Sequence, residues 1–495
     1  MRSVFYGTFV WLPREPETAA TATSAPKYPL IVKRGALWVD GDGRIEGSDW
    51  EVTDEEQLQR LLDRKGWCVE GTGCENRECV RVVKASDERN GFFFPGLIDT
   101  HIHAPQFPNS GIFGSSTLLD WLDKYTFPLE ASFGDKENPD EPPKSAHTVY
   151  NRVVSRTLSH GTTCAAYFAT IHVPATNLLA SICHTRGQRA LIGRVCMDNP
   201  KTCPEYYVDE STEAAISATK ATISHIHSLD PSHTKLLPII TPRFAISCTQ
   251  SLLTQLGALA GSTNPPTHIQ THISENTAEI DFTRTLFPSA SSYADVYDSA
   301  SLLTPRTILA HAVHLSADER RLIKARESGI SHCPASNSAL ASGLCPVRTL
   351  LDDGIKVGLG TDVSGGYSPS ILEAARQACL VSRMRGACAA SGSGDPNGRG
   401  TIGVEEALWL ATRGGSKVLG MEGDMGGFEG GMFFDAVMVE LGRVVGEGWT
   451  ERDGPVNVFG WEDWGEKVAK WMWTGDDRNV RAVWVGGRLV HERTD

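Results

Sequence analysis

Between residues 93 and 362 the chain repeats one pattern eight times, a short apolar run followed by a longer stretch with apolar residues at helical intervals. The runs are 93–103, 162–170, 189–197, 236–244, 268–275, 307–315, 329–336 and 356–362. Near-continuous apolar runs suit strands covered on both faces, as parallel strands flanked by helices are. Between them, Ala146, Val149, Tyr150, Val153, Val154 and Leu158 form a helical stripe closed by Gly161, and 317–328 forms another before Gly329. Eight strand–helix units within residues 93–415 predict an α/β fold, a (β/α)8 barrel of the TIM type. The rival, a doubly wound open sheet, lacks the Gly-rich phosphate loop after its first strand.

The flanks differ from this core. Residues 1–92 read as strands 4–12, 30–33 and 36–40, with Asp42-Gly43 as a hairpin turn, and strand patterns return at 434–439 and 480–490. Pairing these ends predicts a small β-sandwich domain outside the barrel, with domains 1–92, 93–415 and 416–495. Residues 13–29 read as a surface loop, 128–145 as a long polar insertion and 387–401 as a flexible loop.

With 47 Lys and Arg against 60 Asp and Glu, the net charge of −13 argues against a nucleic-acid backbone as partner, though not against a free base. No apolar run is long enough to span a bilayer, and the start of the chain is too short and aromatic for a signal peptide. The 12 cysteines form no framework, which predicts reduced thiols and a cytoplasmic protein. Cys68, Cys74 and Cys79 are spaced too loosely for a zinc knuckle and read as a loop without metal.

A barrel of this kind carries its chemistry at the C-terminal ends of its strands. The first run ends in His101-Ile102-His103, and strand alternation puts both imidazoles on one face. His225-Ile226-His227 has the same spacing within a helical pattern, which turns its rings about 200° apart. Other runs end in Arg243-Phe244, His272-Ile273-Ser274-Glu275, Ala310-His311 and Thr361-Asp362. Three histidines and a carboxylate can hold one divalent metal with a position left for water, whose pKa then falls from about 15.7 toward about 7. Asp362 would ligate or take the water's proton, Glu275 would move a proton to the substrate, and His311 would orient the water or the developing oxyanion. His160, His172, His184, His233, His314 and His332 are assigned to packing.

The segment Pro95-Gly96-Leu97-Ile98-Asp99-Thr100-His101-Ile102-His103 resembles the first barrel strand of the amidohydrolase superfamily, Pro-Gly-x-x-Asp-x-His-x-His. Trp121-Leu122-Asp123-Lys124-Tyr125-Thr126-Phe127-Pro128, Thr241-Pro242-Arg243-Phe244, His332-Cys333-Pro334 and Gly475-Asp476-Asp477-Arg478-Asn479 extend the likeness, pointing to the guanine-deaminating members. That resemblance implies hydrolytic deamination of guanine to xanthine and ammonia, one zinc ion per chain, and a homodimer. It implies His101, His103, His272 and Asp362 as metal ligands, with Glu275, His311 and Asp362 handling protons. Gln106, Arg243 and Phe244 then contact the base, together with His272, Glu275 and His311. Guanine O6 and N7 are adjacent acceptors that suit an Arg donor, and adenine lacks this pair. Two rival readings are a hydrolase of another aromatic base (cytosine, a pterin or a triazine) and a scaffold that lost the chemistry. A cytidine-deaminase fold is disfavoured because its His-x-Glu and Pro-Cys-x-x-Cys pair is absent.

Overall fold

The computed structural model describes residues 1–17, 25–72, 77–135, 137–389, 399–448, 450 and 454–494. Six strands precede the barrel: β1 (Ser3–Trp11), β2 (Ile31–Val39), β3 (Ile45–Asp49), β4 (Trp67–Val69), β5 (Glu78–Lys84) and β6 (Gly91–Pro95). The barrel strands are β7 (Leu97–His103), β8 (Thr162–Phe168), β9 (Arg189–Gly193), a short β10 (Val195–Cys196), β11 (Leu236–Pro242), β12 (His268–Ile273), β13 (Thr307–His311), β14 (Gly329–His332) and β15 (Lys356–Leu359). Three more follow, β16 (Ala436–Glu440), β17 (Val480–Val485) and β18 (Arg488–Glu492).

Each expected apolar run supplies a barrel strand. The eight pair in parallel in the order β7-β8-β9-β11-β12-β13-β14-β15, with helices between them. Closure between β15 and β7 does not use a regular ladder. Asp362 N donates to His101 O (2.8 Å) and His103 N to Val363 O (3.0 Å), while Thr361 N and Oγ1 both donate to the buried Asp99 carboxylate (3.0 and 2.6 Å). Val418, Leu419 and Met425 pack on Ile98 and Ile308 near the N-terminal ends of the strands, leaving the opposite mouth for polar groups. Helix Lys144–Ser159 buries the expected stripe of Ala146, Tyr150, Val153, Val154 and Leu158 against the outside of the barrel.

Both termini build the second sheet, in the order β18-β17-β16-β6-β1-β2-β3. The expected sandwich takes the form of one forked sheet, because β1 pairs with β5 through Ser3–Tyr6 and with β6 through Thr8 and Phe9. Its core is aromatic: Phe5 stacks on Phe434 at 3.9 Å and Phe9 on Phe93 at 4.9 Å.

Several local expectations need correcting. The segments 30–33 and 36–40 are one strand, running through Gly35, where a Cβ would lie 2.8 Å from Trp50. The run 480–490 is two strands, because Gly486 and Gly487 both take positive φ and turn the chain back. The run 93–103 is divided at Gly96, with β6 in the terminal sheet and only β7 in the barrel. The polar insertion 128–145 opens as helix Phe127–Ala131, started by Pro128 in its first turn. The loop 387–401 is entered by helix Ile371–Ala389, and residues 390–398 lie outside the described residues.

Within 42–90 the chain forms helix Glu55–Lys65, with Asp54 and Gln57 as a capping box and Gly66 as its left-handed stop. That helix covers the face of β1 carrying Val4 and Tyr6. The expectation of reduced thiols fails at Cys68, which is disulfide-bonded; Cys79 opposite it is a free thiol and Cys74 lies outside the described residues. The second His-x-His pair sits on helix Thr212–Leu229, away from the barrel mouth, as its periodicity predicts. Among the described residues no helix is long and apolar enough to cross a membrane.

Candidate active site

Four side chains meet at the C-terminal mouth of the barrel. One donor atom from each of His101, His103, His272 and Asp362 lies within 4.8 Å of the others. His101 and His103 come from the end of β7, His272 from β12 and Asp362 from the turn after β15. His272 Nδ1 donates to Arg243 O (2.5 Å), which leaves Nε2 facing His103 Nε2 at 3.1 Å. His101 Nε2 sits 3.0 Å from Asp362 Oδ1 without hydrogen-bond geometry, and His103 Nδ1 is buried without a partner.

Burial holds all three imidazoles below their ordinary pKa, so each offers a neutral nitrogen. Burial alone would raise Asp362, but the imidazoles around it, His101 first and then His311 and His103, outweigh that and lower its pKa. Neutral imidazoles converging on a carboxylate, with a ring nitrogen left unpartnered, fit a divalent transition-metal ion and suit magnesium or calcium poorly.

Glu275 and His311, expected to handle protons, lie beside this cluster. Burial pushes Glu275 up to about 7, so both its forms are populated near neutral pH. Ser342 Oγ donates to Glu275 Oε1 (2.9 Å), and Glu279 Oε2 accepts from Glu275 N (2.9 Å). His311 Nε2 is 3.4 Å from Glu275 Oε2 and 3.7 Å from Asp362 Oδ2, while its Nδ1 donates to Asn337 Oδ1 (2.9 Å). Burial works against charge on His311, but the carboxylates of Glu275 and Asp362 prevail and raise its pKa. Ser274, His311 and Asp362 hold positive φ (49°, 72° and 46°), a strained backbone that re-aims the chain at three strand ends.

A partly enclosed pocket opens beside these groups. Gln106, Arg243 and Phe244 line it as expected, and Leu118, Trp121, Leu122 and Leu340 supply an apolar wall. Flat apolar walls with a few convergent polar groups suit a planar heterocycle.

Some functional positions escaped the sequence. Glu130, fully buried on helix Phe127–Ala131, pairs with Arg243 (2.6 Å) and lies where a solvated insertion was expected. Its only sequence signal is an acid within an apolar segment begun by a proline. His314, assigned to packing, donates through Nε2 to Ser342 O (2.7 Å) and so steadies the residue that holds Glu275. Of the other histidines assigned to packing, His160 sits beside Arg156, and His332, at the end of β14, is buried with neither ring nitrogen partnered.

The description "Amidohydrolase family" matches residues 92–490. A probable guanine deaminase of Schizosaccharomyces pombe is 52% identical over 399 residues, covering 81% of this chain and 71% of the relative. The guanine deaminase of Mus musculus is 40% identical over 492 residues, covering 98% and 96%. Among solved structures, guanine deaminase from C. acetobutylicum with guanine bound in its active site superposes with a TM-score of 0.79. It is 29% identical and covers 99% of this chain and 100% of its own. The chain therefore belongs to the amidohydrolase family, and its likeness within that family runs to the guanine deaminases.

Proposed function

We propose that this protein is a zinc-dependent enzyme that hydrolyses guanine to xanthine and ammonia. The observation that carries the reading is the meeting, in one buried mouth, of the His101, His103, His272 and Asp362 donors with Gln106 and Arg243, whose free edge suits O6 and N7. Those four side chains would hold one ion per chain, and when bound it supplies a Lewis acid that acidifies water at the site.

The chain's own groups then divide the work. Gln106 and Arg243 hold the oxygen edge of the base, and Phe244 packs against it near His272. Asp362 takes a proton from the water whose oxygen joins C2. Glu275, able to gain and lose a proton near neutral pH, passes one proton to the neighbouring ring nitrogen, where it stays, and a second, from the new C2 hydroxyl, to the departing amine. His311, whose pKa the carboxylates of Glu275 and Asp362 raise and whose Nε2 is directed at the same space, steadies negative charge as it develops. The C2–N bond breaks and ammonia leaves, with its extra proton drawn from the water.

Purified protein incubated with guanine, adenine, cytosine and a pterin tests the reading. Ammonia and xanthine from guanine alone are expected; ammonia from cytosine but none from guanine would sink it. The buried free thiols of Cys164, Cys183, Cys196 and Cys248 support a cytoplasmic setting. The homodimer implied by the family likeness is checked by sedimentation.

A further inference from the structure

Glu130 touches nothing in the cavity, yet its carboxylate is saturated. Oε1 accepts from Gln106 Nε2 (2.7 Å) and Arg243 Nη2 (3.2 Å), and Oε2 accepts from Arg243 Nη1 (2.6 Å) and Tyr207 OH (2.8 Å). Four donors occupy the roughly four lone-pair sites of an ionised carboxylate. The group is 0% exposed, so no water competes for them.

This arrangement decides what the cavity offers a ligand. A carboxylate can only accept, so Gln106 must turn its amide nitrogen toward Glu130. Its Oε1 is taken by Ser364 N at 3.2 Å. What remains on Gln106 is one N–H and one lone pair of Oε1, and what remains on Arg243 is N–H alone. Donors therefore predominate on the recognition edge. Phe127, on the same helix as Glu130, lies against the guanidinium at 5.1 Å and limits its movement.

We infer that Glu130 is the positioning residue that sets base specificity, by locking the Gln106 amide and the Arg243 guanidinium in one orientation, a donor-rich edge that receives a ring carbonyl and disfavours an amino group in its place. The inference rests on the proposed guanine reading. A neutral amide at 130 could donate to Gln106, letting its amide turn over and present an oxygen to the cavity.

The test compares guanine with 2,6-diaminopurine, which keeps the C2 amino group and carries an amino group where guanine has O6. Steady-state kcat and KM are measured on both bases for wild type, Glu130→Gln, Glu130→Asp and Tyr207→Phe, with zinc content. Glu130→Gln is expected to raise KM for guanine about ten-fold or more with a smaller effect on kcat, at unchanged zinc. The guanine preference in kcat/KM should fall about ten-fold, with Glu130→Asp recovering part of it. Tyr207→Phe, which removes one donor and leaves the charge, should lower the preference by about two- to five-fold.

Equal losses on both bases, or a fall in kcat at constant KM, would assign Glu130 to stability alone and overturn the inference. If Glu130→Gln does not fold, an unchanged preference in Tyr207→Phe overturns it by itself. Wild type inert toward guanine would instead strike the functional reading.

Discussion

Ser342 Oγ donates to Glu275 Oε1 at 2.9 Å, making a loop serine the anchor of the carboxyl group proposed to carry protons. The bond favours the ionised form, while burial opposes it and raises Glu275 to about 7. Ser342→Ala should move the pKa further up, so the limb of the kcat profile assigned to Glu275 shifts to higher pH. Loss of a bond to a charged group should lower kcat by about ten-fold or more, with KM for guanine little changed. An unmoved pH profile would contradict the anchor role.

Glu275→Gln removes a proton carrier without removing a ligand. Turnover should fall by at least about 100-fold while zinc content by elemental analysis stays at the wild-type level. His103→Ala should do the reverse to the metal, lowering zinc occupancy after dialysis against a chelator. Wild-type activity in the first variant, or full occupancy in the second, would reassign these side chains.

Asp99 closes the barrel between β7 and the turn after β15 through both Thr361 groups, and its Oδ1 also accepts from His101 N on its own strand at 3.2 Å. Thr361→Val deletes the 2.6 Å hydroxyl bond and leaves a buried carboxylate oxygen unpaired. It should cost about 1–3 kcal/mol of stability in denaturant unfolding. A midpoint equal to wild type would show that the seam is held by backbone bonds alone.

His268 and His332 are buried neutral, and burial lowers their pKa to about 4 and about 3. The unfolded chain takes up these protons as pH falls below about 6.5, whereas the folded protein does not until near those lower values. Their contribution is thus fully present above pH 6.5 and lost progressively below it. His268→Gln keeps an N–H for Leu419 O, which His268 Nε2 reaches at 2.9 Å, and cannot ionise. It should therefore gain about 2–3 kcal/mol over wild type between pH 6.5 and pH 4.5, read from thermal melts across that range. A constant difference between the two proteins across that range would refute the account.

The barrel was readable because each strand's register is local. Apolar runs buried on both faces need no partner to be recognised, and a two-residue strand period places His101 and His103 on one side. The same reasoning set the helical pair His225 and His227 aside correctly. It failed where a glycine looked like a break but served a close approach, as at Gly35, and where one pattern spans two sheets, as at Gly96.

Strand order, the convergence of strand-end histidines and the donor set at the mouth followed from the sequence by itself, since alternation and burial are properties of neighbouring residues. The service of Glu130 to Arg243, across 113 residues, did not. Nor did Ser342 holding Glu275 across 67, or Asp99 meeting Thr361 across 262. An acid in a polar stretch and an acid at full burial look alike until the chain closes. Only the closed structure, by removing water from Glu130, gives its four lone-pair sites to Gln106, Arg243 and Tyr207.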